Sequence, residues 1–402
     1  MNPSLVTGQF NDSFIPIADG VAVVVRNYCH WLNLTLGPSY AITPRFPGFV
    51  DSFEFPVLRY LSVPMPVRPP YRCGLPIVDP SFLSHVSSIP FGLVHAHCPF
   101  TSGLVALVIA RARNIPIVAT FHTRYGDDLK GLGASDGVTR LLLKRIADFY
   151  RAVDQVWVPN WATSEVLRAY GYRGDCEVVP NGTDIEISQA ERDGYRHELE
   201  SELSLSPGDV VFLYVGQHRW EKNLRLLIES LRRVKDAGRS FRMIFAGQGY
   251  AQEGMRRLVD DLGLRDQVTF LGVVHDRERL KRYYAGADLL LFPSLYDTFS
   301  LVVREAAACY LPALLIRGSA AAEGVVDGRN GFLAACSVES YAQALLYLME
   351  HPAAVRGAGE AARHSLYRSW EDILAEVRQR YLDLASCRGK ARLFLARHAN
   401  RL

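Results

Sequence analysis

A chain of 402 residues exceeds what one hydrophobic core usually supports, so two domains of similar size are expected. With 49% hydrophobic and 22% charged residues it has the make-up of a globular protein, and a formal net charge of +3 is too mild to point to nucleic acid. The seven cysteines are scattered, odd in number and never spaced as CxxC, which fits reduced thiols better than a disulfide frame or a metal site.

The start, MNPSLVTGQFNDSF, lacks the basic and apolar pattern of a signal peptide, and no segment reaches the roughly 18 to 20 apolar residues of a membrane span. A cytoplasmic location is expected, with any membrane touched only from its surface. In IADGVAVVVRNYCHWL, Asp19 and Gly20 form a loop ahead of a helix, either a tight turn or a ligand contact. The Pro- and aromatic-rich stretch 42–80 reads as irregular loops.

From there on, short apolar runs alternate with amphipathic stretches, the pattern of parallel strands joined by crossover helices and hence of an α/β fold. Strands are expected over 93–96, 117–120, 155–158, 176–179, 210–215, 242–246, 268–271, 289–292 and 312–316. Helical periodicity marks SGLVALVIARARN, RLLLKRIADFYRAV, LRLLIESLRRVKDAG and YAQALLYLME. The acidic, apolar-poor stretch 184–207 separates two such series, which puts a first domain at 1–183, a second at 184–368, and a last helix with a basic tail at 369–402.

Several residues could carry chemistry. ATFHTRYGDDLK puts His122 directly after a buried strand, at the carboxyl end of a parallel sheet where α/β proteins bind ligands, although a lone histidine is often structural. Asn160 and Asn181 end strands as turn residues or site residues. In FLYVGQHRWEKNLRLLIESL a strand ends at Gly216 and Lys222 stands at a helix start, exposed, where it could neutralise a leaving diphosphate. Gly247 and Gly249 follow a strand and let backbone approach a ligand, though αβ loops use glycine everywhere. In PSLYDTFSLVVREAAACYLP, Asp297 and Glu305 bracket a strand-to-helix turn. A helix beginning near Phe299 or Ser300 would aim its first amides at an anion, flanked by carboxylates able to grip hydroxyls. The plainer reading makes Asp297 the helix cap and Glu305 a surface residue.

Taken in order, DGV, HAHCPFTSG, FHTRY, VVPNGTD, VGQHRWEKN, AGQG, TFLGVV and LYDTFSLVVREAAA resemble the retaining glycosyltransferases of family 4, from about Asn11 to Tyr381. The likeness is closest to bacterial members of the diacylglycerol glucosyltransferase type. It implies the GT-B fold: two Rossmann-like domains facing across a cleft, with a C-terminal helix crossing back to the first. The implied reaction is transfer of a hexose, glucose by family frequency, from a nucleotide diphosphate sugar such as UDP-glucose to a hydroxyl acceptor. That acceptor could be a diacylglycerol-type lipid. No cofactor, metal or nucleic acid is implied.

The resemblance also implies roles. Asp297 and Glu305 match the two acids of the family's E-x7-E element, the first at the donor sugar hydroxyls and the second at the ribose. Phe299, Ser300 and Leu301 match the turn whose amides meet the diphosphate, with Lys222 the phosphate-binding lysine. Gly20 matches the N-terminal loop glycine, His122 the histidine beside the reacting sugar, and Val274 the wall of the base site; Gly216 and Gly247 belong to the donor loops. Three departures stand out: Asp297 for Glu, Ser300 for Gly, and Gln217 where an arginine normally pairs with the lysine, a charge Arg219 could supply. They keep a non-catalytic sugar-nucleotide-binding protein open beside a nucleotide-sugar epimerase. A dinucleotide oxidoreductase ranks below both, since AGQGYAQE lacks a third glycine.

Two segments suit an anionic membrane surface. The tail carries Arg388, Lys390, Arg392, Arg397 and Arg401 around Leu393, Phe394 and Leu395. In the first domain Arg140, Lys144, Arg145 and Arg151 interleave with Leu141, Leu142, Leu143 and Ile146. The alternative for the second is a packed helix with a solvated edge.

Overall fold

A computed structural model describes residues 4–399 apart from 18, 132, 204 and 206–208, and leaves out the side chains of 130 and 388–399. The chain divides into two compact units, Met1–Asn181 with Trp370–Leu402, and Gly182–Ser369.

In chain order the first unit contains β1 (Thr7–Phe10), α1 (Gly20–Thr35), β2 (Ser39–Pro44), β3 (Val57–Tyr60), β4 (Ser62–Pro64), β5 (Arg72–Gly74), α2 (Pro80–Ser88), β6 (Leu93–Ala96), α3 (Thr101–Arg113), β7 (Ile117–Thr120), α4 (Tyr125–Gly131), α5 (Asp136–Arg151), β8 (Gln155–Val158), α6 (Trp161–Ala169) and β9 (Glu177–Val178). Seven strands form one parallel sheet in the order β3-β2-β1-β6-β7-β8-β9, while β4 and β5 pair as a small antiparallel ribbon. Strand order reverses between β1 and β6, so the loops leaving those two strands open side by side at the sheet's carboxyl edge, where parallel α/β sheets place ligands.

The second unit contains α7 (Gln189–Leu203), β10 (Val210–Val215), α8 (Leu224–Asp236), β11 (Phe241–Ala246), α9 (Gln252–Asp261), β12 (Val268–Gly272), α10 (Arg277–Gly286), β13 (Leu289–Phe292), α11 (Leu301–Ala308), β14 (Ala313–Ile316), β15 (Phe332–Ala334), α12 (Val338–Glu350) and α13 (Pro352–Ser365). Its six parallel strands run β12-β11-β10-β13-β14-β15, reversing between β10 and β13. Val211, Leu213, Ile244, Leu290 and Leu314 are wholly buried along these strands. Helices cover both faces, which is why the strands read as unbroken apolar runs. α14 (Trp370–Ala399) then returns the chain to the first unit, burying Trp370, Ile373, Leu374, Val377 and Tyr381 along one stripe beside α1.

Several expectations need correction. Stretch 42–80 is not irregular throughout: it holds the end of β2, then β3, the β4–β5 ribbon and the start of α2. The acidic stretch after 183 is largely α7, which sinks Leu199 against Gly286 of α10 and ties Arg196 to Asp288 at 2.8 Å. Strands β1, β2 and β15 were not foreseen. β1 is buried at every position, yet Thr7 and Gln9 break its apolar pattern; Thr7 satisfies its hydroxyl on Ser39 at 2.9 Å. The backbone of the presumed tail continues α14 as far as Ala399, and its basic side chains lie outside the described residues.

Candidate functional site

In the second unit the reversal between β10 and β13 brings two distant loops together. Leaving β10, Gly216–Arg219 leads into a 3-10 turn over Trp220–Lys222, and Asn223 takes the left-handed conformation (φ 55°) that starts α8. Leaving β13, Pro293–Ser300 leads into α11. Across the gap Lys222 Nζ donates to both carboxylate oxygens of Asp297, at 2.7 and 3.0 Å, and lies 5.6 Å from the Phe292 ring centre. Lys222 is therefore not the exposed helix-start lysine of the sequence reading. It is 8% exposed, in the turn before the helix, because its aliphatic stem is packed and its charge is met by Asp297.

Asp297 is not the cap of α11. Ser300 is, accepting from Val303 N–H at 3.4 Å, which accounts for a serine at that position and leaves the Leu301 and Val302 amides as helix-start donors without an intrahelical acceptor. Phe299 is held under the Arg304 guanidinium at 5.1 Å, and burial lowers that arginine to about 10. Glu305, one turn into α11, is no loose surface residue. Tyr284 O–H donates to its Oε2 at 2.7 Å and Arg277 to its Oε1 at 3.0 Å, while Arg277 also reaches Asp184. A carboxylate has about four acceptor sites, so both oxygens keep capacity for a hydroxyl.

Gly216 and Gly247 are brought together. Gly247 (φ 134°) runs so close beside Gly216 that a Cβ on it would lie 2.0 Å from the Gly216 carbonyl oxygen. The loops are tied by His218 N–H to the Gln248 carbonyl and Ala251 N–H to the His218 carbonyl, both at 3.0 Å. The close backbone approach that Gly247 permits is thus, first, one between two loops. Arg219 lies 4.9 Å over the Tyr296 ring centre and pairs with Glu221 at 3.3 Å, next to the Asp297 loop. Val274 is half-buried against the core, between β12 and α10.

The first unit carries Gly20 and His122. Gly20 opens α1 behind Asp19, whose carboxylate caps Ala22 N–H at 2.8 Å and accepts from Ser13 at 2.8 Å. A Cβ on Gly20 would meet nothing within 4 Å, so packing places no demand for glycine there. His122, 8% exposed, stands just past β7, with Nε2 3.1 Å from His97 Nδ1. Burial lowers it to about 3, so the ring is neutral. Asn160 is a helix cap, accepting from Thr163 N–H at 2.9 Å. Among the described residues no three His, Cys, Asp or Glu side chains are grouped as metal ligands, and no helix is long and apolar enough to cross a membrane.

The family model described as Glycosyltransferase Family 4 matches residues 18–187, and that for glycosyl transferases group 1 matches 196–365. The chain belongs to the family 4 glycosyltransferases. Its fold is GT-B, an α/β fold of two Rossmann-like domains. HepE of Anabaena, whose structure holds UDP-glucose, superposes with a TM-score of 0.72 at 17% identity, over 95% of this chain and 100% of that one. An alpha-monoglucosyldiacylglycerol synthase of Acholeplasma laidlawii is 24% identical over 390 residues, 94% of this chain and 96% of its own. A D-inositol 3-phosphate glycosyltransferase of Nocardia farcinica is 31% identical over 298 residues, 70% of this chain and 64% of its own.

The sequence reading missed most of the polar layer around His122 in this transferase. His95 and His97 alternate on one face at the end of β6, as residues two apart on a strand must, and stack at 4.1 Å. Gln9 of β1 accepts from His97 at 3.1 Å; Thr120 and Tyr381 bond His95 at 2.7 and 2.5 Å. Asp12, in the loop after β1, accepts from Ser102 N–H at 3.0 Å, Tyr60 O–H at 2.8 Å and Cys98 S–H at 3.2 Å, fixing the start of α3. The His-Ala-His alternation was the available signal. Gln9, Asp12 and Tyr381 had none, since each enters only through sheet order or the return of α14.

Proposed function

We propose that the enzyme transfers glucose from UDP-glucose to the hydroxyl of a diacylglycerol-type lipid, with retention at the anomeric carbon and without a metal. The observation that carries this reading is the Lys222–Asp297 pair beside the α11 start: a cation, helix-start amides and a carboxylate within one pair of loops. An ammonium has three donors, and with two engaged on Asp297 the third would meet the diphosphate alongside the Leu301 and Val302 amides. As the bond from the anomeric carbon to the diphosphate breaks, these groups stabilise the negative charge on the leaving oxygen. Asp297 would hold sugar hydroxyls, Glu305 the ribose, Gly216, Gly247 and Arg219 the shape and charge of the donor loops, and Val274 the base. The leaving phosphate takes the acceptor's proton on the same face, which gives retention. Gly20 and His122 would stand at the diphosphate and the reacting sugar.

The lipid acceptor draws on the Acholeplasma relative's name and near full-length match. It also draws on α5, which exposes Val138, Leu141 and Leu142 among Arg140, Lys144 and Arg145, an apolar and cationic face suited to an anionic leaflet. The packed-edge alternative accounts only for the other side of that helix, where Ile146, Phe149 and Tyr150 are buried. An inositol phosphate acceptor is the second reading, from the Nocardia relative.

The test is a panel of nucleotide sugars with dioleoylglycerol in anionic vesicles, with inositol 3-phosphate, or with neither, at low and high salt. The reading expects nucleoside diphosphate release to be fastest with UDP-glucose and the lipid, and to fall at high salt as the vesicle contact is screened. Release that follows inositol phosphate and ignores vesicles overturns the lipid acceptor. Release that prefers another donor overturns UDP-glucose.

A further inference from the structure

Helix α10 carries Arg277, Leu280 and Tyr284 at positions i, i+3 and i+7, so the three share one stripe. Leu280 and Tyr284 sink into the core of the second unit, which sets that stripe against α11. Two donors thereby reach one acceptor: Tyr284 O–H gives to Glu305 Oε2 at 2.7 Å, and the Arg277 guanidinium to Oε1 at 3.0 Å. Burial and the adjacent Glu305 push the Tyr284 phenol well above its usual range, so it keeps its proton and donates. Arg277 is held from its other side by Asp184, which accepts from the same Nη2. All four residues belong to the second unit.

A glutamate side chain turns about several bonds, and a carboxylate left to do so would lose that freedom each time it met a ligand. Glu305 has lost it already: among the described residues each of its carboxylate oxygens receives one side-chain donor from the α10 stripe. Each oxygen then keeps one acceptor direction. A ribose offers two neighbouring hydroxyls, whose O–H donors match two acceptor oxygens set side by side. We propose that Arg277 and Tyr284 are positioning residues for nucleotide recognition, fixing the Glu305 carboxylate with one oxygen toward each of two neighbouring ribose hydroxyls. This rests on the reading that Glu305 holds the donor's ribose. It adds which residues aim that carboxylate, and that a ribonucleotide is preferred to its deoxy counterpart because of them. Asp184 stands one step further out, keeping Arg277 against Glu305.

The test is calorimetric binding of UDP and of 2′-deoxy-UDP to the full chain, with thermal midpoints measured alongside. The wild type should bind UDP about 10- to 100-fold more tightly, the scale of one hydrogen bond to a charged group. Glu305→Ala should abolish that preference. Tyr284→Phe removes a single hydroxyl and keeps the ring that fills the core, while Arg277→Gln removes the cation; each should lower the preference for UDP about 3-fold or more. A purely structural role would shift the thermal midpoint and leave the preference as in the wild type. That result in both variants, with the preference lost in Glu305→Ala, overturns the positioning role. If Arg277→Gln does not fold, Tyr284→Phe decides. A wild type that does not distinguish the two nucleotides, or an unchanged preference in Glu305→Ala, overturns instead the placement of Glu305 at the ribose.

Discussion

Lys222 and Asp297 are 75 positions apart and neither is conspicuous alone. The local motifs around each suggested a phosphate lysine and a hydroxyl-binding acid, but not that one holds the other at 2.7 Å. That contact depends on β10 and β13 lying side by side, a property of strand order that no local window contains. With side chains only 10% and 19% exposed, each charge leans on its partner. Lys222→Ala should therefore cost stability, about 2 to 4 kcal/mol, as well as reducing kcat by roughly 10² or more. Asp297→Ala should do likewise, and the double variant should lose less stability than the two single losses added together. Urea unfolding of the four proteins, with initial rates, checks this. Strictly additive losses would show the pair to be uncoupled, and a near-normal rate in Lys222→Ala would move the phosphate contact elsewhere, with Arg219 the next candidate. Ser300 taught the opposite lesson. It looked like a departure from a glycine pattern, and its hydroxyl proves to be the cap that starts α11.

At the scale of elements, long apolar strands were legible because burial on both faces leaves an unbroken hydrophobic run. β1 was not, because Thr7 and Gln9 spend two of its four positions on buried hydrogen bonds. α7 was lost for a related reason: a helix that buries chiefly Leu199 and is held by surface ion pairs reads as a linker. Glycines were equally ambiguous in sequence, and the loops separate them. Gly247→Ala, at φ 134° and 2.0 Å from a carbonyl oxygen, should destabilise the second unit by more than about 2 kcal/mol. Gly20→Ala meets open space on a helix start and should leave stability within about 0.5 kcal/mol, while the proposed place of Gly20 at the diphosphate expects turnover to fall. Thermal melts with steady-state rates distinguish them. Full activity in Gly20→Ala would remove that glycine from the site.

For the whole molecule, length and the rhythm of strands and helices indicated two α/β units, and ordered motifs indicated the GT-B type. Which strands adjoin, and so which loops form a site, came only with the structure: β6 between β1 and β7 gathers Gln9, His97 and His122, and β10 beside β13 gathers Lys222 and Asp297. Tyr381 reaches the first layer only because α14 returns to that unit. The central claim is transfer with retention to a lipid hydroxyl, and its most direct test is the product. Purified protein, UDP-glucose labelled with ¹³C at the anomeric carbon, and dioleoylglycerol in anionic vesicles should yield a glucosyl lipid whose one-bond carbon–proton coupling is that of an α-glycoside. A β-linked lipid, or label released as free glucose with no lipid product, would contradict the account.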